Sequence, residues 1–183
     1  MVEISAITEN STASELGLKA GDKIISINEN NIDDYIDFLF QTSDPIFKLK
    51  IKKRSDKIIE YDVHRSYEKT LGINFDQIIF DKLKTCNNNC IFCFVKQQPK
   101  GMRRSLLKKD DDYRFSFLQG SFITLTNIND REWKRIINLK LSPLNISVHT
   151  TNPELRVKMM KNPKAAEINR LLKLFQKNNI QFH

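Results

Sequence analysis

Three cysteines, Cys86, Cys90 and Cys93, fall within eight consecutive residues in the pattern Cys-x3-Cys-x2-Cys. An odd number of thiols argues against a disulfide framework, and thiols this close together read as a metal site. A structural zinc site wants four ligands, commonly two Cys hooks or paired histidines. No second hook exists, so zinc would need His149 or His183 as its fourth ligand. A four-iron cube held by three thiolates instead keeps one iron open, where a small molecule can bind and be activated. Asn87, Asn88 and Asn89 suit a tight loop between the first two sulfurs, since Asn tolerates left-handed backbone.

The elements around this motif read as α/β. Asn74–Lys82 is mainly extended and leads into the cysteines, which would put them at the carboxyl end of a strand, where βα folds bind ligands. Gly120–Asn127 and Leu144–Thr150 read as strands, and Ile180–His183 begins another. Asp130–Leu141 reads as a helix, with Asn129 as N-cap and Glu132 completing a capping box. Pro163–Lys177 reads as a second helix, with Asn162 as cap and proline at its first position. Strand, helix, strand, helix, strand implies parallel strands joined by crossover helices.

The strands alternate. Ile123 and Leu125 oppose Thr124 and Thr126, Ile146 and Val148 oppose Ser147 and His149, and Ile180 and Phe182 oppose Gln181 and His183. Helices must cover the apolar face, which leaves a polar inner face. Because buried polar groups need partners, that face implies water or a polar ligand in a barrel or trough; an open sheet with one wet face is the plainer alternative.

Residues 1–64 read as a separate α+β module. It has strands at Met1–Ile7 and Lys23–Asn28, a helix at Asp33–Gln41, and a hairpin of Phe47–Lys53 with Lys57–Val63. The block Gly17-Leu18-Lys19-Ala20-Gly21-Asp22-Lys23-Ile24 resembles a bacterial PDZ domain, a class that captures extended peptides at a sheet edge. No glycine-rich carboxylate-binding loop precedes the first strand, so an architectural role is equally compatible.

With Phe92 between the last two sulfurs, the cysteine motif resembles the radical S-adenosylmethionine (SAM) superfamily, whose hallmark is Cys-x3-Cys-x-aromatic-Cys. The resemblance continues through Gln98–Arg103, Asp110–Arg114 and Thr124–Asn127. With the PDZ-like module in front, the chain resembles the PDZ-containing radical SAM proteins that end in a DUF512 domain. The implied architecture is a PDZ-like domain over 1–64 and the first half of a partial (β/α) barrel over 65–183. Members of that family continue further, so the chain is expected to be a C-terminally truncated member.

The resemblance implies a [4Fe–4S] cluster on Cys86, Cys90 and Cys93, with SAM on its open iron cleaved to a 5′-deoxyadenosyl radical. It implies SAM contacts from Thr126 and Asn127, and from Ser147 and His149 by likeness to RNA-methylating members. Phe92 would shield the cluster or pack near the adenine, or be a plain core aromatic. No general acid, base or radical-quenching residue stands out. An electron donor such as flavodoxin or ferredoxin is the implied partner. An iron–sulfur electron-transfer or scaffold protein and a zinc-stabilised PDZ adaptor are the alternatives. Asp110–Asp112 with Tyr113 and Arg114 fits a helix cap, a substrate loop or a solvated loop alike.

Composition narrows the class. The 183 residues include only 5 Gly and 5 Pro, at a mean hydropathy of −0.45. That excludes a fibrous chain, and no apolar run is long enough to span a membrane. The first residues lack a secretory signal, which makes the cytoplasm the expected compartment. A formal charge of +8 tolerates an anionic partner such as RNA, while the PDZ-like module allows a peptide. Basic residues concentrate at Lys48–Arg54 and Lys96–Lys109, compatible with a solvated strand face and surface loop or with phosphate contacts.

Overall fold

The computed structural model describes all residues, 1–183, which divide into two compact units, Met1–Lys82 and Leu83–His183. No helix is long and apolar enough to cross a membrane.

The first unit is built on β1 (Val2–Glu3), β2 (Ala6–Ile7), α1 (Thr12–Glu15), β3 (Lys23–Ile27), α2 (Tyr35–Gln41), β4 (Ile46–Lys52), β5 (Ile58–His64) and β6 (Ile73–Asn74). Its main sheet is antiparallel in the order β1-β3-β4-β5, and β2 pairs with β6 in a separate ribbon. Alternation decides the faces: Phe47, Leu49 and Ile51 of β4 are buried, while Lys48, Lys50 and Lys52 point away. The basic stretch is thus largely a solvated strand face, with Lys52 paired to Asp56 (2.8 Å).

Unit 1 runs past the expected boundary at residue 64, because Leu71 and Ile73 are buried in its core and β6 pairs within it. Gly72 makes that return possible. It has φ +76°, and a Cβ there would lie 2.2 Å from the Ser11 side chain. Asp22 fixes the preceding turn by accepting the Lys19 and Arg54 N–H groups (3.0 and 3.1 Å) and the Lys53 ammonium (2.5 Å).

The second unit contains α3 (Tyr113–Gln119), β7 (Phe122–Ile123), α4 (Asp130–Asn138), β8 (Asn145–Ile146), α5 (Pro153–Met160) and α6 (Ile168–Lys177). β7 and β8 are parallel, and Leu144 bridges Phe182 in parallel, so three strand segments run the same way. Ile123, Leu125, Ile146 and Ile180 are buried, as are Ile136 of α4 and Leu171 and Phe175 of α6.

The strands are shorter than alternation suggests. Leu125 and His149 adopt left-handed backbone (φ +64° and +61°), which ends regular pairing. The extended run expected over Asn74–Lys82 is regular only at β6, which belongs to the first unit. The helix expected from Pro163 begins as a 3-10 turn, Pro163–Glu167, before α6.

Candidate metal centre

The loop carrying the cysteines is anchored on both sides. The Cys86 N–H donates to Lys109 O (2.7 Å), next to an isolated bridge between Thr85 and Asp110. The Asn89 and Ile91 N–H groups donate to the carbonyls of Met160 and Met159 (2.9 and 3.0 Å). Those carbonyls close α5 and lack partners within the helix, so loop and helix end satisfy each other. After Cys93 the chain enters a 3-10 turn, Phe94–Gln97, and the Lys96 and Gln97 N–H groups donate to Cys93 O (3.0 and 3.3 Å). All three thiols are free and half-buried. Burial pushes the Cys90 thiol up, and the neighbouring Cys86 and Cys93 add to the rise.

None of Asn87, Asn88 and Asn89 takes left-handed backbone. The triplet works through its side chains instead. Asn88 is 3% exposed. Its amide nitrogen donates to Cys86 Sγ (3.3 Å) and Thr124 Oγ1 (3.0 Å). Its amide oxygen accepts from Thr126 Oγ1 (3.0 Å) and Asn162 Nδ2 (2.7 Å), and its carbonyl accepts from Lys109 Nζ (2.5 Å). Every polar atom of this side chain is therefore used. Thr124 also bonds the buried Asp111, through its N–H (2.6 Å) and its hydroxyl (2.5 Å). Burial pushes the Asp111 carboxyl up against the pull of those bonds. Asp112 caps α3 and forms a two-pronged pair with Arg114 (2.9 and 2.8 Å).

The strand ends are tied together by Arg156, which is 1% exposed. Its guanidinium donates to four carbonyls: Val148 (2.8 Å), Ala165 (2.9 Å), Thr124 (3.0 Å) and Ser147 (2.9 Å). Burial works against its charge, while Asp111 and Cys90 favour it. The His149 ring lies 4.8 Å from that of Phe92, bringing the end of β8 against the cysteine loop. Desolvation and the Arg156 charge hold the imidazole below its ordinary value.

Residues 65–183 match the family model of the radical SAM-like domain. The chain belongs to the radical SAM-like family. No curated protein matches it.

Within this radical SAM-like domain the expected site residues do different things. Thr126 is buried, with its hydroxyl committed to Asn87 (3.2 Å) and Asn88. Asn127 donates its amide to Thr85 O (3.2 Å), but its Oδ1 is buried without a donor. Ser147 is half-buried beside Arg156. Phe92, 37% exposed, is not a core residue. The polar side chains that follow β7, Thr124 and Thr126, are met by Asn87 and Asn88 of the cysteine loop.

No three or more His, Cys, Asp or Glu side chains converge where a single ion would sit. Asn88, Asp111, Lys109 and Asn162 were not singled out as site residues by sequence pattern, since each looks like an ordinary loop or cap residue.

Proposed function

We propose that this chain is a radical SAM enzyme whose Cys86, Cys90 and Cys93 ligate a [4Fe–4S] cluster, with SAM held at the ends of β7 and β8. The first unit we read as PDZ-like, with residues 65–82 completing it, and the second as part of a (β/α) barrel.

The donor set carries this reading: three free thiols on one pinned loop, in a domain of this family. A single zinc ion needs all its donors within about 2.3 Å of one point, whereas a cluster takes each thiolate on a separate iron. Three thiolates, one short of the four donors a structural zinc takes, suit the second requirement in donor type. When bound, cluster and SAM together supply a 5′-deoxyadenosyl radical by one-electron reductive cleavage of the sulfonium, and the protein supplies position and exclusion of water.

The chain's own groups fit those tasks. The buried, unpartnered Asn127 Oδ1 is an acceptor suited to the amino group of SAM. Arg156 places a fixed cation near Cys90 and holds Thr124 and Ser147 at one level. Phe92 against His149 screens one side of the loop. An electron carrier of the flavodoxin or ferredoxin kind completes the system.

Anaerobic reconstitution tests this reading. About four irons per chain, brown absorbance, and release of methionine and 5′-deoxyadenosine on reduction are expected. Serine at any of the three cysteines should abolish the cluster. A colourless protein holding one zinc would refute it.

A further inference from the structure

The cap of one short helical turn fixes the direction of a hydrogen bond on a sulfur in a different part of the chain. Asn162 caps the turn Pro163–Glu167 by accepting the Lys164 N–H at its Oδ1 (3.0 Å). A backbone N–H can only donate, so the Asn162 atom facing it must be oxygen and the other must be Nδ2. That Nδ2 points at Asn88 from 2.7 Å, so the Asn88 atom facing it must be the acceptor, Oδ1. Asn88 therefore turns its own Nδ2 to the opposite side, toward Cys86 Sγ (3.3 Å) and Thr124 Oγ1 (3.0 Å). Thr124 agrees from the far end. Its hydroxyl proton lies toward Asp111 Oδ2 (2.5 Å), which leaves its oxygen free to accept from Asn88. Neither amide can flip without setting two donors or two acceptors face to face in a buried place, which costs roughly 1–3 kcal/mol per unsatisfied group.

We infer that the relay Asn162–Asn88 is a positioning device that imposes an N–H donor on Cys86 Sγ and thereby raises the reduction potential of the cluster. The inference rests on Cys86 being a cluster ligand. Hydrogen bonds to cluster sulfurs are among the factors that set such potentials. The sign follows from charge. Reduction adds negative charge to the iron–sulfur unit and its thiolates, and a fixed donor stabilises that charge more strongly than it stabilises the oxidised form. Asn162 touches no thiol. Its Nδ2 donates to Asn88 (2.7 Å) and, over a longer 3.2 Å, to Asn87 Oδ1. Of these two side chains it is Asn88 that donates to Cys86 Sγ, so a change at Asn162 that alters the potential through that sulfur acts through Asn88.

Two neutral substitutions test the relay in the anaerobically reconstituted full chain, with the midpoint read by redox titration and electron paramagnetic resonance. Asn88→Ala deletes the donor. It should lower the reduced-to-oxidised ratio at fixed ambient potential about tenfold, a midpoint about 59 mV more negative for a one-electron couple. Asn162→Ser keeps a good cap but withdraws the amide that orients Asn88. It should shift the midpoint the same way by a smaller, several-fold change in that ratio. Unchanged midpoints in both variants at wild-type iron content would overturn the inference.

Failure of the wild-type chain to hold a four-iron cluster would be a different result, refuting the cluster reading and the relay with it. A metal-free measurement guards against variants that do not load. In labelled iron-free protein, nuclear Overhauser contacts should join the Asn88 side-chain amide protons to the Cys86 β-protons and weaken in Asn162→Ser. Their absence in the wild type would equally overturn the relay.

Discussion

Arg156→Met should destabilise the second unit by about 3 kcal/mol. The arginine donates to four carbonyls at 2.8–3.0 Å, on Thr124, Ser147, Val148 and Ala165. Methionine approximates the aliphatic stem but offers no donor, and a buried acceptor left unmet costs about 1 kcal/mol or more. Val148 O keeps a second donor, the Thr150 N–H (2.7 Å), so three full losses and one partial one sum to roughly 3–4 kcal/mol. Removing a buried charge whose burial is itself unfavourable returns part of that. Lysine carries its donors on one nitrogen and reaches only part of the set, so Arg156→Lys should fall about halfway. The chain has one tryptophan, Trp133, on α4 and 5.3 Å from the Phe175 ring, so its fluorescence reports the second unit. Urea titration followed at Trp133 gives the free energy directly. If Arg156→Met lies within about 1 kcal/mol of wild type, the guanidinium is not what holds the strand ends, and the reasoning fails.

Other expectations follow from single contacts. Gly72→Ala combines positive φ with a Cβ 2.2 Å from Ser11, so it should cost about 3 kcal/mol or more in chemical denaturation. At Asp22, burial pushes the carboxyl up, but bonds from Lys53 and the Lys19 and Arg54 N–H groups outweigh it and hold the group below its ordinary value. A lowered folded value means this stabilisation is complete above the unfolded value near about 4 and is lost as pH falls through the folded one. Asp22→Asn should therefore remove part of the acid sensitivity of the circular-dichroism unfolding midpoint; an unchanged profile would contradict this. Asn127→Ala should leave iron content intact while weakening SAM binding about tenfold by calorimetry, the value of one hydrogen bond to a charged group.

Local signals carried much of the fold into the sequence. Asn129 and Glu132 form the capping box expected of them, with bonds of 3.0 and 2.8 Å. β4 and β5 pair as alternation suggests, because each side chain's face is set by a period of two residues. α5 was missed. Its apolar residues, Leu155, Val157, Met159 and Met160, show no helical stripe, and its inward position is held by an arginine. For α3, the helix cap is the alternative that holds among those open for Asp110–Asp112, with Asp112 before the helix and Gly120 after it as ordinary start and stop residues. The three sulfurs were legible because spacing alone marks them. Asn88 and Arg156 were not, since their roles depend on partners far along the chain, such as Asn162 and Thr124.

Leu125 and His149 hold a backbone conformation that costs an ordinary side chain roughly 1–2 kcal/mol. Drift at these two places is therefore channelled toward glycine, asparagine and aspartate, and away from valine, isoleucine or threonine. In diverged sequences of this kind, such a bias at paired positions following two short apolar runs would act as a landmark, locating the points where the two strand segments give way to loops even where the neighbouring residues have changed.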